Sequence, residues 1–206
     1  MHFNDIKKSI SCSVHNVVEV PLKDCQLKAR FVTFDGLDDA KEHFAIRYVT
    51  AGSVNVPLLR VHSECVTGDL FHSLRCDCGE QLAYSMQRLK EEGGILIYLR
   101  QEGRGIGLKA KLDAYLLQLE GHDTFEANRL LGHPDDSRDF SLAAKMLLAM
   151  GESRVRLLTN NPQKQSALTA GGVEVTAALR LPSFTHAENR KYIAAKRLSG
   201  HFLEDN

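Results

Sequence analysis

The apolar residues of this chain change their rhythm near position 78. Before it they fall in short runs rich in Val, Ile and Phe, at 14–20, 27–34, 44–50 and 58–62. Turn material such as Phe34-Asp35-Gly36 and Ala51-Gly52-Ser53 separates them, a pattern that predicts β-strands. After it, Leu82, Met86 and Leu89 recur at i, i+4 and i+7, the stripe of an amphipathic helix that stops at Gly93-Gly94. Residues 95–99 form a compact apolar strand. Leu112, Tyr115, Leu116 and Leu119 make the next helical stripe, ended by Gly121. Leu142, Met146, Leu147 and Met150 make another, ended by Gly151. Residues 155–158 read as a buried strand, and the corner Thr159-Asn160-Asn161-Pro162 opens a further helix. Strands first, then helices alternating with single strands, predict an α+β fold, a mixed sheet core with helices packed on it. No repeat, low-complexity tract or Pro/Gly/Ser-rich linker divides the 206 residues, so a single domain over 1–206 is expected.

Composition removes several classes of function. Lys+Arg is 26 and Asp+Glu is 26, without the basic excess that a nucleic-acid partner demands. A small anionic ligand needs only a local cluster of base. No apolar run approaches the roughly 18 residues that cross a bilayer. The N-terminus has neither an apolar region nor a small-residue cleavage site, so a soluble cytoplasmic protein without a membrane partner is expected. The five cysteines are Cys12, Cys25, Cys65, Cys76 and Cys78, an odd number that argues against a disulfide framework.

Three of them cluster. Cys76 and Cys78 at i and i+2 can both point at one ion from a tight turn that Gly79 loosens, and Cys65 supplies a third thiolate from the preceding loop. Three thiolates predict a tetrahedral Zn²⁺ with one open position, as in catalytic rather than closed structural sites. No fourth cysteine lies nearby, and His62 and His72 stay candidates for the fourth place. Cys12 and Cys25 sit in strand-like segments and read as core or surface thiols.

Three further polar segments sit at strand-to-helix corners or helix starts. Arg100-Gln101-Glu102-Gly103-Arg104-Gly105-Ile106-Gly107 joins an apolar strand to a helix. Its glycines let backbone N–H groups approach an anion, and its arginines carry planar forks suited to phosphate. Pro134-Asp135-Asp136-Ser137-Arg138-Asp139 precedes a helix, with an Arg wedged between carboxylates and Asp139 as an N-terminal acid. Thr159-Asn160-Asn161-Pro162-Gln163-Lys164 brings a hydroxyl, amides and a Lys to a strand C-terminus, a favoured ligand position in α/β layers.

Arg60-Val61-His62-Ser63-Glu64-Cys65, then Ser73-Leu74-Arg75-Cys76-Asp77-Cys78-Gly79, the 100–108 segment and the 156–162 segment closely resemble GTP cyclohydrolase II, which opens riboflavin biosynthesis. The resemblance runs from about Val56 to the C-terminal helix, while the first fifty residues carry no motif. It implies a homodimer that hydrolyses GTP to formate, pyrophosphate and 2,5-diamino-6-(5-phospho-D-ribosylamino)pyrimidin-4(3H)-one. It implies one Zn²⁺ on Cys65, Cys76 and Cys78 with water as the fourth ligand, and Mg²⁺ on the triphosphate. GTP contacts fall at Arg60, Val61, His62, Ser63, Glu64, Gln81, Glu102, Gly103, Arg104, Thr124, Thr159 and Lys164. Asp136 matches the proton acceptor and Arg138 the proposed nucleophile. Tyr115 matches a tyrosine associated with the complete reaction, and relatives that stop at a formamide differ there. Glu64 or Tyr115 is a candidate proton relay. A guanidinium nucleophile is chemically awkward, because arginine stays protonated, and charge stabilisation by Arg138 is the simpler role. The other histidines (His2, His15, His43, His122, His133, His186 and His201) are scattered and read mostly as surface residues, and Glu188-Asn189-Arg190-Lys191-Tyr192 reads as a solvated helix face.

Overall fold

The computed structural model describes residues 12–23, 29–50, 55–122 and 124–203, with only the backbone of Thr124 and Phe125. Among these residues seven strands join in one mixed sheet of order β1-β2-β3-β5-β4-β6-β7. Strands β1 (Ser13–Val20), β2 (Ala29–Asp35) and β3 (Phe44–Tyr48) form an antiparallel meander, and β3 pairs antiparallel with β5 (Gly94–Leu99). The remaining pairs are parallel: β4 (Leu58–Ser63) lies between β5 and β6 (Arg154–Leu158), and β7 (Glu174–Leu179) closes the far edge. The helices are α1 (Val66–Asp69), α2 (Cys78–Glu92), α3 (Gly107–Leu119), α4 (Thr124–Leu130), α5 (Ser141–Ala149), α6 (Pro162–Ala170) and α7 (Arg190–Leu198). None is long and apolar enough to cross a membrane among the described residues.

The period-two alternation of the central strands divides the core between two faces. Leu59, Val61, Ile95, Ile97, Leu99, Val155 and Leu157 point to one side, where Leu142, Met146 and Leu147 of α5 and Leu168 of α6 cover them. Leu58, Leu96 and Leu158 point to the other, with Leu89 of α2. Strands covered on both faces read as unbroken apolar runs, which is why 58–62, 95–99 and 155–158 are legible in the sequence. Strand β7 is not. It is an edge strand alternating between exposed and half-buried positions, with no buried residue to mark it.

The connection geometry decides where chemistry can occur. Strands β4, β5 and β6 run parallel, so their C-terminal ends open on one side of the sheet. The chain crosses from β5 over β4 to reach β6, and that reversal of strand order leaves a crevice at those ends.

Four sequence expectations change. The α3 stripe faces outward: Leu112, Leu116 and Leu119 are 45%, 61% and 73% exposed. This helix packs on the neighbouring turn and α4 rather than on the sheet, burying only Ala114. The 188–192 run is solvated only in part: Glu188, Arg190 and Lys191 are exposed, but Asn189 is buried and Tyr192 half-buried, and the helix goes on to bury Ile193 and Lys196. Polar residues occupy its inward positions, so periodicity hides it. His43 is buried, its Nδ1 accepting the Arg100 N–H at 2.8 Å and its Nε2 bonding Asp39 at 2.9 Å. His201 is half-buried against the cavity described below. Cys12 packs half-buried against the core. Cys25, His2, the start of the 27–34 run and the turn at 51–53 lie outside the described residues.

Strands β4 and β5 approach closely where Gly94 opposes Leu58. A Cβ on Gly94 would stand 2.2 Å from the Leu58 carbonyl oxygen and 2.7 Å from Leu89 Cδ2. Backbone cannot yield as a flexible side chain does. Gly94→Ala is therefore expected to cost about 3 kcal/mol or more, measured as a shift of the urea unfolding midpoint.

Candidate active site

Leaving β4, the chain turns at Glu64, whose N–H donates to the Leu99 carbonyl at 2.8 Å. One carboxylate then fixes the loop. Asp69 accepts the Cys65 N–H at 3.0 Å, the Tyr98 hydroxyl at 2.7 Å and His62 Nε2–H at 3.0 Å. Burial and that acceptor hold the Tyr98 phenol protonated, above its ordinary range. Asp69 thus ties α1 to both β4 and β5 directly under Cys65.

Cys78 opens α2 and Cys76 lies just before its N-cap Asp77, and the three sulfurs lie within 4.8 Å of one another, Cys65 and Cys76 at 3.7 Å. Thiolates bonded at about 2.3 Å to one tetrahedral ion stand about 3.8 Å apart, so the spacing fits a metal. The backbone is cut to the same purpose. A Cβ on Gly68 would meet Cys76 Sγ at 3.0 Å, Cys78 Cβ at 3.1 Å and Cys65 Sγ at 3.2 Å, filling the space beneath the sulfurs. Shared S–H bonds from Cys76 and Cys78 hold the Cys65 thiol far below its usual range, with Lys111 adding to the effect. The same sharing pushes Cys76 up to about 11 and Cys78 well up. Three sulfurs so crowded cannot all ionise without a cation among them. Neither histidine candidate joins the group among the described residues: His62 is engaged by Asp69, and His72 is exposed.

Lys111 of α3 was not legible in the sequence. Its Nζ donates to Cys65 Sγ at 3.2 Å, Thr67 Oγ1 at 2.9 Å and Glu102 Oε1 at 2.9 Å. Burial opposes its charge, but Cys65, Tyr115 and Glu102 outweigh burial and hold its pKa above the usual lysine range. Glu102 also accepts the Val66 N–H at 2.6 Å and the Gly103 N–H at 2.7 Å, so protein donors already occupy both of its oxygens.

The glycine segment forms a 3-10 turn, Glu102–Gly105, in which Gly103 and Arg104 both adopt left-handed backbone, φ 61° and 60°. Glycine takes this conformation freely and arginine does not. Two contacts hold it. The Ser137 N–H donates to the Arg104 carbonyl at 2.9 Å, and Gly105 lies so near Ser137 that a Cβ would touch its backbone at 3.0 Å. The turn and the 134–139 segment are thereby one unit. There Arg138 grips Asp136, Nε to Oδ1 at 2.9 Å and Nη2 to Oδ2 at 2.5 Å. Burial opposes both charges, yet the pairing wins: Asp136 is held below the usual carboxylate range and Arg138 above its own.

These parts enclose a cavity of about 570 Å³. Of the residues expected to touch substrate, Ser63, Glu64, Gly103, Arg104 and Glu102 line it, as do the three cysteines, Tyr115 and Arg138. Glu64 is held by Arg100 at 2.9 Å, and the Arg75 guanidinium lies 4.4 Å over the Tyr115 ring. The others stand behind the wall. Val61 belongs to the core. Arg60 donates to Gln81 Oε1 at 2.9 Å, and Gln81 donates to Asp77 Oδ2 at 2.6 Å, a buried chain ending between Cys76 and Cys78. Burial lowers Arg60 to about 10 despite Asp77. Lys164 Nζ donates to the Val61 carbonyl at 2.8 Å, and Thr159 Oγ1 accepts the Asn161 N–H at 3.0 Å. The Thr124 side chain lies outside the described residues.

Residues 15–180 match the family model described as GTP cyclohydrolase II. The chain belongs to that family. It is an enzyme of the GTP cyclohydrolase II family, 50% identical to the GTP cyclohydrolase-2 of Vibrio vulnificus over 180 residues, which is 86% of this chain and 91% of that protein. The GTP cyclohydrolase-2 of Psychromonas ingrahamii is 48% identical over 86% of this chain and 90% of its own. The riboflavin biosynthesis protein RibBA of Thermotoga maritima is 50% identical over 85% of this chain but only 45% of that longer protein.

The structure adds residues that support the cysteine group, Asp69 and Lys111, and others that line the cavity from beyond the matched segment, Tyr192, Lys196 and His201. Their only sequence signal is a lone charge or ring at a helical position. Lys111→Met removes the cation that faces Cys65, and second-sphere changes of this kind typically cost about 10- to 100-fold in metal affinity. The metal-loaded variant is expected to lose its ion to a chelator at correspondingly lower concentration.

Proposed function

We propose that the protein hydrolyses GTP, opening the guanine imidazole ring and releasing formate and pyrophosphate to give 2,5-diamino-6-(5-phospho-D-ribosylamino)pyrimidin-4(3H)-one, the entry reaction of riboflavin biosynthesis. Cys65, Cys76 and Cys78 would hold Zn²⁺, and Mg²⁺ would accompany the triphosphate. The observation that carries this reading is that the three sulfurs open into the same cavity as the guanidinium groups of Arg104 and Arg138. A base-attacking centre and a phosphate-binding wall then share one nucleotide-sized space. Zinc bound by three thiolates supplies a Lewis acid that brings the pKa of water towards about 7.

The chain's own residues divide the remaining work. Tyr115 holds its phenolic proton, because burial raises its pKa more than Lys111 lowers it, so it is placed to donate to the nitrogen released when the ring opens. Glu64, oriented by Arg100, is placed to accept protons from the attacking water. Arg104, carried into the cavity by the glycine turn, faces the triphosphate oxygens. For Arg138, electrostatic stabilisation of charge on the α-phosphoryl group fits better than covalent attack. Asp136 keeps the guanidinium protonated, and a carboxylate held below its usual range is a weak base. The exposed leucines of α3 suit a homodimer contact.

Two measurements test this reading. With Zn²⁺ and Mg²⁺ present, GTP is expected to yield formate and pyrophosphate in equal amounts. Ring opening without formate would make the protein an enzyme that stops at the formamide, and GTP intact after hours would make it a binding module. Leu116→Glu is expected to shift the sedimenting species towards the 23.0 kDa monomer. A native protein that is already monomeric removes the dimer.

A further inference from the structure

One wall of the cavity comes from chain beyond the matched family segment, which ends at residue 180. Tyr192, Ala195, Lys196, Leu198 and His201 line it, beside the cysteines. This wall is fastened at several points. Lys196 Nζ meets Asp77 Oδ1 at 2.5 Å, and Asp77 is wholly buried between Cys76 and Cys78. The Tyr192 hydroxyl lies 3.8 Å from Cys78 Sγ. The Phe202 N–H donates to the Asn160 carbonyl at 2.8 Å, and the Arg180 guanidinium lies 3.8 Å from the Phe202 ring. His201 is fixed in turn, its N–H donating to the Lys196 carbonyl at 3.2 Å and its Nδ1 bonding Ser199 Oγ at 3.1 Å.

Several cations border the cavity beside His201. Arg104, Arg138 and Lys196 line the same cavity as His201, and burial together with these cations and Lys164 behind the wall pushes its pKa down to about 4. Asp136 faces Arg138 and Asp77 faces Lys196, while Lys164 is held by a neutral carbonyl. The carboxylates on the opposite wall have cations of their own, Lys111 on Glu102 and Arg100 on Glu64. Burial and the neighbouring cations also push Lys164 well below its ordinary range. Cations gathered in a partly buried space repel one another, and a multivalent anion among them reverses the sign of that energy.

We propose that the C-terminal segment completes the polyphosphate subsite of the nucleotide, with His201 donating to a phosphate oxygen and Lys196 serving as the positioning residue that pins this wall to the Cys76–Cys78 turn. The identity of the anion rests on the GTP reading above, but the existence of the subsite does not. Inorganic pyrophosphate is therefore the probe, and the full-length protein is the material.

His201→Asn keeps a polar partner for Ser199 but removes the group that can gain a proton. Loss of a charge-assisted hydrogen bond is expected to weaken pyrophosphate binding in calorimetry about tenfold or more. The KM for GTP should rise by the same factor, with a much smaller fall in kcat and unchanged bound metal. Lys196→Gln loosens the wall, so trypsin is expected to cut faster at Arg190 and Lys191, and pyrophosphate to protect these sites less than in the native protein. Pyrophosphate affinity of His201→Asn within twofold of the native value overturns the proposal. Because this binding requires no turnover, a full-length protein that binds pyrophosphate through His201 yet leaves GTP intact would overturn the GTP reading alone.

Discussion

Three sulfur atoms can share one cation only if the two stretches of chain that carry them are held together against their own crowding. Here the holding is done from below. Asp69 gathers the Cys65 N–H, the Tyr98 hydroxyl and the His62 ring, so the loop after β4 cannot lift off the sheet. Gly68 contributes by having no side chain, leaving the space in which the sulfurs converge. With that platform fixed, Lys111 can reach Cys65 and Glu102 together, and Glu102 can couple α1 to the glycine turn. The turn, through Ser137, carries the Asp136–Arg138 pair. Each step relies on the one beneath it, so a cysteine platform at one strand end sets the position of the Arg138 guanidinium.

The sequence showed the parts whose signal is local. Apolar runs marked the central strands because both their faces are covered, and the cysteines were conspicuous because three thiols within fourteen residues have few structural uses. What stayed hidden is polar and long-range. Asp69 resembles any acid at the end of a short helix until Tyr98 and His62 are brought against it. Lys196 and Asp77 are separated by 119 positions, and neither has a neighbour in sequence that explains its burial. The α3 leucines show the converse. Their spacing is that of a buried stripe, yet the face they form points away from the sheet, since period reports that a helix has an apolar side and not what that side meets.

Residues expected to contact substrate fall into two groups that motif spacing cannot separate. Ser63, Glu64 and Arg104 border the cavity, whereas Arg60, Gln81 and Lys164 lie behind it, bonded to one another's supports. Arg60 in the middle of β4 shows why. A buried guanidinium is costly unless several acceptors meet it, and the Gln81–Asp77 chain and the Leu158 carbonyl provide them. A residue of this kind shapes the wall and its field from behind the lining side chains.

Arg104, Arg138 and Lys196 share a cavity with His201, and a subsite of this kind would make the protein's solvent an active ingredient. Phosphate, sulfate or citrate in a buffer can relieve the same repulsion that a substrate relieves, and ligands that favour the native state raise its apparent stability in proportion to their concentration. If an anion occupies that subsite, melting temperatures recorded in phosphate and in an amine buffer differ by its binding, and the difference measures the pocket rather than the fold.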